Sequence, residues 1–382
     1  MRILVLGGDG YTGWPLAMSF AADGHDVTVV DDYSKRTLAR KYKRGPLQDC
    51  PTMEIRSALF ERATGAKIDW HVLDILHYDS LCDLLIKVTP EVIVHLAEMP
   101  SAPFSMLGYV EAFHTLNNNL NGTLALAHAV INFAPDAHVI KLGTMGEYGT
   151  PNVPINEGWL DVRKAWRHHR FLYPSEPGSL YHVTKVQDTH MLWLYTKIHS
   201  LRVTDVMQGP VYGVTTNETT LGTKLGTSFF YDDVFGTVIN RFVAEAVSEL
   251  PLTVYGAGGQ KRGYLHLQDC VDCIKLLAQN PPIPGEFRIV NQLASFHSVR
   301  ELAELVRSAG VKMGLNVSVA HLDNPRVEQE EHFYEVESNT LGELGFRSEG
   351  LSEARLVEFL QFLAPLVDHV DQGKILPRHS WR

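Results

Sequence analysis

The chain has 382 residues, 45% of them hydrophobic and 20% charged, enough for one large α/β domain plus a smaller lobe. Its 34 basic and 44 acidic residues give a formal net charge of −10 with no basic stripe interleaved with aromatics, which argues against a nucleic-acid partner. Met1 stands almost at the first apolar run, and no apolar run is long enough to span a bilayer. The expectation is therefore a cytoplasmic protein with no secretory or transit segment and no membrane partner.

Arg2-Ile-Leu-Val-Leu runs directly into Gly7-Gly-Asp-Gly-Tyr-Thr-Gly13, and the stretch from Trp14 to Ala22 has helical periodicity. Strand, glycine loop and helix in that order are the context of a dinucleotide site. Gly7 permits the tight turn, Gly10 lets backbone approach a pyrophosphate, and Gly13 allows close helix–strand packing. Asp9 and Tyr11 lie in the same loop, whose helix N-terminus offers amides to phosphate. The next strand, His25 to Val30, ends at Asp31-Asp32, the interval at which a carboxylate meets an adenosine ribose. Asp31 repels a 2′-phosphate, so NAD is expected over NADP. The basic run from Ser34 to Gly45 (Lys35, Arg36, Arg40, Lys41, Lys43, Arg44) could cradle such a phosphate or form a solvated helix face. The strand-end carboxylate is the stronger signal, with Arg36 kept among the cofactor contacts.

Later strands continue the alternation. Asp69 to Asp74 ends in Asp74-Ile75, suited to the adenine edge, and Val92 to Ala97 carries Leu96 beneath the cofactor. His138 to Thr144 delivers the Thr144 hydroxyl at the C-terminal end of a strand, where open parallel sheets bind ligands. Gly178-Ser-Leu-Tyr-His-Val-Thr-Lys185 then sets Tyr181 and Lys185 four apart on one helix face. There an ammonium can hold down a phenol's pKa, so that the phenolate takes a proton from a substrate hydroxyl. Tyr-x-x-x-Lys alone is a common surface pair. Roughly 170 residues beyond the glycine loop, it reads as the base of a short-chain dehydrogenase/reductase.

From about Thr215 the alternation breaks up. Thr215 to Tyr231, rich in Thr, Gly and Asn, reads as a long excursion over the active site. A helical pattern from Phe235 to Val247 follows, and Leu252 to Asp269 reads as a strand, a glycine-rich turn and another strand. Arg262 and Arg326 project from this half. Two guanidinium forks suit a nucleotide-sugar diphosphate, the alternative being surface ion pairs. Cys50, Cys82, Cys270 and Cys273 are too scattered for a disulfide framework. Cys270-x-x-Cys273 has no second pair for zinc and reads as buried helix thiols behind an Asp269 N-cap. Glu328-Gln-Glu-Glu-His332 has no matching second cluster, so no metal is expected. The fold expectation is an α/β Rossmann doubly wound parallel sheet over residues 1–214. Residues 215–382 form mainly a smaller C-terminal α/β substrate-binding lobe, with segments returning to the first domain.

These motifs resemble the extended short-chain dehydrogenases that modify nucleotide sugars, and among them the UDP-sulfoquinovose synthases. The resemblance covers nearly the whole chain. It rests on Gly7-Gly-Asp-Gly10, Ser101-Ala-Pro-Phe-Ser-Met106, Lys141-Leu-Gly-Thr-Met-Gly-Glu-Tyr-Gly-Thr-Pro151, Tyr181-His182 and Gln208-Gly-Pro-Val-Tyr-Gly213. Further matches are Asp232-Asp-Val-Phe-Gly-Thr237, Arg262-Gly-Tyr-Leu265, Asn324-Pro-Arg-Val-Glu328 and Ser380-Trp381. The resemblance implies Thr144, Tyr181 and Lys185 as the catalytic set, with Lys185 also on the nicotinamide ribose and Gln208 between cofactor and substrate. Hexose dehydratases place an Asp acid and a Glu base where this chain has Met145 and Gly146, which leaves Glu147 and His182 for the C5–C6 elimination. The implied substrate contacts are Thr144, Met145, Gly146, Tyr181, Gln208, Arg262 and Arg326.

The implied reaction is oxidation at C4 of a UDP-hexose, loss of the C6 hydroxyl, addition of sulfite at C6 and reduction at C4. A homodimer through Tyr109–Phe133 and Tyr181–His199 is implied as well. One departure is Met99-Pro100 where the synthases have Gln-Arg, which removes a guanidinium from a presumed anion site. The insertion from Arg163 to Arg170 could restore that charge or enclose a larger substrate. The alternatives are a C4 epimerase on an unusual nucleotide sugar, an exo-glycal-forming dehydratase and a catalytically idle NAD-binding regulator.

Overall fold

The structure is a computed structural model describing residues 1–48, 50–325 and 333–376. Its first half alternates strand and helix as the periodicity predicts: β1 (Arg2–Leu6), α1 (Gly13–Ala22), β2 (Asp26–Asp31), α2 (Ser34–Lys41), α3 (Met53–Thr64), β3 (Ile68–Val72), α4 (Tyr78–Val88) and β4 (Val92–His95). A short α5 (Ala102–Ser105) and the long α6 (Tyr109–Phe133) lead to β5 (His138–Leu142). The antiparallel hairpin β6 (Trp159–Lys164) and β7 (Arg167–Leu172) precedes α7 (Leu180–His199) and β8 (Arg202–Gln208). The second half contributes β9 (Val211–Tyr212), α8 (Val238–Val247), β10 (Leu252–Tyr255), β11 (Lys261–His266), α9 (Leu267–Gln279), β12 (Phe287–Gln292), β13 (Ser295–Ser298), α10 (Val299–Lys312), β14 (Val319–Leu322), α11 (Asn339–Glu343) and α12 (Glu353–Leu363).

Seven parallel strands form the central sheet in the order β12-β8-β5-β4-β1-β2-β3. The order reverses at β1, so the crevice outside the C-terminal ends of β1 and β4 is the switch point where such sheets bind ligands. β1, β4 and β5 are apolar runs because both faces are covered. Ile3 and Val5 pack with α1 and α9, and Leu4 and Leu6 with residues of α4 and α6. Val92–His95 and His138–Leu142 are buried at every position. A third core joins Phe242 and Val243 of α8 to Leu302 and Val306 of α10 and Leu356 and Leu360 of α12, beneath the smaller lobe.

The strand, glycine-rich turn and strand read from Leu252 to Asp269 are present as β10 and β11, which join separate sheets: β10 pairs with β14 and β11 with β13 and β9, with Gly256 (φ 60) and Gly258 (φ 73) in the connection. One feature of the second half differs from the sequence reading. His266, not Asp269, caps α9, accepting from the Gln268 amide. Asp269 instead takes Arg355 at 2.6 and 2.9 Å. Cys270 and Cys273 are buried free thiols on α9. Among the described residues no group of three or more His, Cys, Asp or Glu is placed to hold a metal, and no helix is long and apolar enough to cross a membrane. Arg326, the Glu328–His332 cluster and Ser380-Trp381 lie outside the described residues.

Candidate active site

One continuous cavity of about 760 Å3 runs from the glycine loop, past the ends of β4 and β5, to the smaller lobe. Its cofactor end is built by close backbone approach. Gly7 has φ 86, and a Cβ there would stand 2.6 Å from the Leu96 carbonyl, so the β1 turn can lie against the end of β4 only with glycine. Gly10, Tyr11, Thr12 and Gly13 line the cavity where α1 begins, and Asp31, Asp32, Asp74, Ile75 and Leu96 line its wall. Open amides at a helix N-terminus beside a strand-end carboxylate fit a dinucleotide.

The charges of this end are arranged by tertiary contacts. The Asp31 carboxylate accepts from the amides of Asp9 (3.0 Å) and Tyr33 (2.8 Å). Burial and the nearby Asp9 charge push its pKa up to about 7. Asp9 also lines the cavity, but its carboxylate is engaged by Arg36 at 2.5 Å and by the fully buried Arg56. Arg36 also donates to the carbonyl of Pro51 at 2.9 Å. The basic run is divided: Arg40, Lys41 and Lys43 are exposed as on a solvated face, whereas Lys35, Arg36 and Arg44 turn inward. Arg36 and Arg56 neutralise Asp9 under the glycine loop, and Arg44 pairs with Asp233 at 2.6 Å. Lys35 turns into the cavity over the rings of Phe230 (4.5 Å) and Phe235 (5.7 Å), where burial lowers its pKa to about 8. Tyr11 hydroxyl donates to the Gly213 carbonyl, and Thr227 to the Tyr11 carbonyl, so the excursion after Thr215 closes over the glycine loop. Ser228 and Phe230 of that excursion line the cavity.

Thr144, Tyr181, His182 and Lys185 all line the middle of the same cavity, with Met145 and Gly146 between them. Thr144 caps a single 3-10 turn, its hydroxyl accepting from Gly146 N at 3.1 Å. Ser179 caps α7, accepting from His182 N at 3.3 Å and lying 3.1 Å from His182 Nδ1. That leaves the far edge of the imidazole against Gly146. Gln208 also lines the cavity while donating to Gln292 Oε1 at 2.8 Å. Arg262 lines it at the smaller-lobe end, beside Tyr255, Gln260 and Tyr334.

Two placements differ from the sequence expectation. Glu147 does not face the cavity. It accepts from Thr144 N (3.1 Å) and Thr189 Oγ1 (2.9 Å) and pairs with Lys141 (3.3 Å), so it shapes the Thr144 turn from beneath. Lys141 is fully buried and also reaches Asp205 at 3.2 Å and Thr189 at 2.9 Å; one charged residue in the apolar run of β5 was the sequence signal for this network. Second, Lys185 makes no hydrogen bond to the phenol. Its ammonium binds Glu98 Oε2 at 2.6 Å and donates to the Leu142 carbonyl, standing 5.9 Å from the Tyr181 ring centroid. Burial, then the charges of Glu98 and Glu147, push the Tyr181 pKa well above the usual tyrosine range. Sequence reasoning missed Glu98, whose signal is an acid immediately after the β4 apolar run at the switch point.

The Met99-Pro100 segment is locked in place. Met99 N donates to Asn119 at 2.8 Å, Ser101 Oγ to the Val234 carbonyl at 2.6 Å, and Met99 packs with Phe104, Val234 and Phe235. The hairpin from Arg163 to Arg170 is exposed throughout, with Trp166 at its tip 88% exposed, and contributes nothing to the cavity.

A profile described as the NAD dependent epimerase/dehydratase family matches residues 3–291. The chain is 42% identical over 381 residues to the chloroplastic UDP-sulfoquinovose synthase of Spinacia oleracea, covering all of this chain and 79% of that protein. It is 41% identical over 385 residues to the UDP-sulfoquinovose synthase of Sulfolobus acidocaldarius, covering all of this chain and 98% of the relative. Among solved structures, UDP-glucose 4-epimerase from Bifidobacterium longum in complex with NAD+ and UDP superimposes with a TM-score of 0.73 at 16% identity, over 98% of this chain and 99% of that one. UDP-glucuronic acid 4-epimerase from Bacillus cereus, in complex with UDP-glucuronic acid and NAD, gives 0.69 at 20% identity, over 96% and 99%. The glycine loop, the switch-point cavity and a full-length likeness above 40% agree: this chain belongs to the NAD dependent epimerase/dehydratase family and, within it, groups with the UDP-sulfoquinovose synthases.

Proposed function

We propose that this protein is an NAD-dependent enzyme of the UDP-sulfoquinovose synthase type, acting on UDP-glucose and sulfite by transient oxidation at C4 of the bound hexose. The observation that carries the reading is the convergence of Thr144, Tyr181, His182 and Lys185 on one cavity that is continuous with the dinucleotide cradle and with Arg262. The alternatives of a C4 epimerase, an exo-glycal dehydratase and an idle regulator have no comparable support from full-length relatives.

When bound, NAD supplies a reversible two-electron acceptor for C4 and a positively charged ring. The Gly7–Gly13 loop, Asp31 and Lys185 would hold it, with Asp74 and Ile75 toward the adenine and Gln208 near the substrate. Thr144 orients the C4 hydroxyl, and Tyr181 takes its proton and later returns it. A ketone at C4 acidifies the C5 proton. With Glu147 turned into the core, His182, which lines the cavity beside Tyr181, is assigned to move protons at C5 and C6. Its Nδ1 is held by Ser179, and the other edge of the ring lies beside Gly146 on the cavity wall. Met145 and Gly146 form the floor, and Arg262, joined by Arg326 in the family pattern, takes the diphosphate. Lys35 supplies the cation for the sulfite side. It sits on Phe235, in the cluster that holds Met99, whereas the basic hairpin stands outside the cavity.

The test is mass spectrometry of products from purified protein with UDP-glucose, with and without sulfite. The expected result is a UDP-sulfoquinovose peak that requires sulfite, with Lys35→Met raising the sulfite KM at least about tenfold. Isomerisation without a mass change would replace this reading with the epimerase, a product short of one water with the dehydratase, and no turnover with the idle binder.

The same reading places the protein in the cytoplasm as a homodimer and divides the chain near residue 214, with α9 and β12 returning to the first domain. The dimer is supported by apolar side chains left exposed toward opposite ends of the α6–α7 pair. Tyr109, Val110 and Phe113 of α6 and Leu194 and Ile198 of α7 are all exposed on two adjacent helices. Light scattering is expected to give twice the 42.8 kDa chain mass at micromolar concentration, and a monomer mass would remove the dimer from the reading.

A further inference from the structure

On the wall of the cavity, Glu98 is a carboxylate that the reaction as described does not use. Its side chain is 2% exposed, Oε2 lies 2.6 Å from Lys185 Nζ, and Oε1 faces His95 Nε2 at 3.6 Å. That imidazole does not compete with Lys185 as a cation, because burial lowers its pKa to about 4 and it sits 3.2 Å from Thr123 Oγ1. Glu98 is thus held to one ammonium, and that ammonium to Glu98 and the Leu142 carbonyl rather than to the phenol four residues earlier on α7.

We propose that Glu98 is a positioning residue: its carboxylate clamps the Lys185 ammonium and sets, through that clamp, how readily Tyr181 gives up its proton. The groups facing the couple are Glu98 and His95 from β4 and its end, His182 and Asp188 from α7, Lys141 from β5, Glu147 from the following turn and Asp205 from β8. Lys141, whose charge favours the phenolate, is already shared by Glu147 and Asp205, whereas Lys185 stands 5.9 Å from the Tyr181 ring with Glu98 as its counter-ion. A neutral side chain at position 98 removes a negative charge that opposes the phenolate and releases the ammonium to swing toward it. Both changes act in one direction: the phenol ionises at lower pH. The clamp keeps the base protonated until binding in the cavity supplies a competing interaction for Lys185, which prevents an unoccupied site from holding a reactive phenolate.

The inference rests on Tyr181 as the base and is independent of sulfite. The experiment is the pH profile of first-turnover C4 oxidation, read as nicotinamide absorbance with UDP-glucose and no sulfite. It is compared for wild type, Glu98→Gln and Glu98→Asp, with tyrosinate difference absorbance of each cofactor-free protein measured against its Tyr181→Phe counterpart. Glu98→Gln is expected to move the acid limb down by about one pH unit or more, and its tyrosinate to appear at correspondingly lower pH. Glu98→Asp, which keeps the charge and retracts it by one methylene, is expected to move both in the same direction by less than half as much. Profiles that superimpose on wild type, or that move to higher pH, overturn the proposal. If Glu98→Gln does not fold, the Glu98→Asp shift decides by its presence or absence. Undiminished turnover by Tyr181→Phe would instead reject the base itself, a separate outcome.

Discussion

Tyr181→Phe is expected to lower the rate of C4 oxidation at least about a thousandfold while leaving the dissociation constants for NAD and nucleotide sugar within about threefold of wild type. The substitution removes one oxygen. Among the described residues that oxygen makes no hydrogen bond, so no structural partner is orphaned by its loss. The backbone amide of residue 181 keeps its bond to Ser105 Oγ at 3.1 Å, and α7 keeps its Ser179 cap. What disappears is the group proposed to accept a proton as C4 becomes a ketone. Single-turnover absorbance with UDP-glucose measures the first quantity and titration calorimetry the second. A Phe variant that oxidises C4 within about tenfold of wild type would show that another group is the base. A variant that fails to bind would show that the phenol is instead a ligand contact.

The second large effect is on stability. Lys141→Met is expected to destabilise the fold by about 3–5 kcal/mol, seen as a lower urea midpoint at unchanged slope. Lys141 is a fully buried ammonium between Glu147 at 3.3 Å and Asp205 at 3.2 Å, with Thr189 and the Lys185 carbonyl completing its bonds. Removing it leaves two carboxylates in a buried site, and burial already pushes the pKa of Glu147 upward. Burial opposes the Lys141 charge, but Asp205 and Glu147 outweigh it and raise the lysine's pKa above the ordinary range. A group whose folded pKa is raised stabilises fully below its unfolded value, and the contribution fades only as pH climbs through the folded value. The Lys141 contribution is therefore expected to be flat across neutral pH and to decline only above about pH 10. Adding Glu147→Gln and Asp205→Asn to Lys141→Met should recover at least half of the loss, because the orphaned charges are then gone. A loss below about 1 kcal/mol in the single variant would show that water or relaxation compensates and that Lys141 does not organise this layer. Activity should fall together with stability, since Glu147 accepts the Thr144 amide and so sets the turn carrying that hydroxyl.

Sequence alone determined whatever local periodicity and local backbone demands encode. The alternation of buried strands and amphipathic helices specified the parallel sheet. The glycines from Gly7 to Gly13 marked its ligand end, and Thr144, Tyr181 and Lys185 could be named because each follows directly from its own element's end or face. Tertiary structure decided what those side chains touch. Lys185 was legible as a residue of the cavity but not as Glu98's partner, because Glu98 follows β4 and meets α7 only after the sheet has formed. The Glu147 carboxylate turned inward because a lysine from β5 and an aspartate from β8 await it there. Arg56, from a helix with no motif, was drawn under the glycine loop by the charge of Asp9. β10 and β11, adjacent in sequence, went to different sheets for the same reason. A strand's direction is local, whereas its partner, like the partner of a buried charge, is fixed only when distant segments compete to satisfy it in the absence of water.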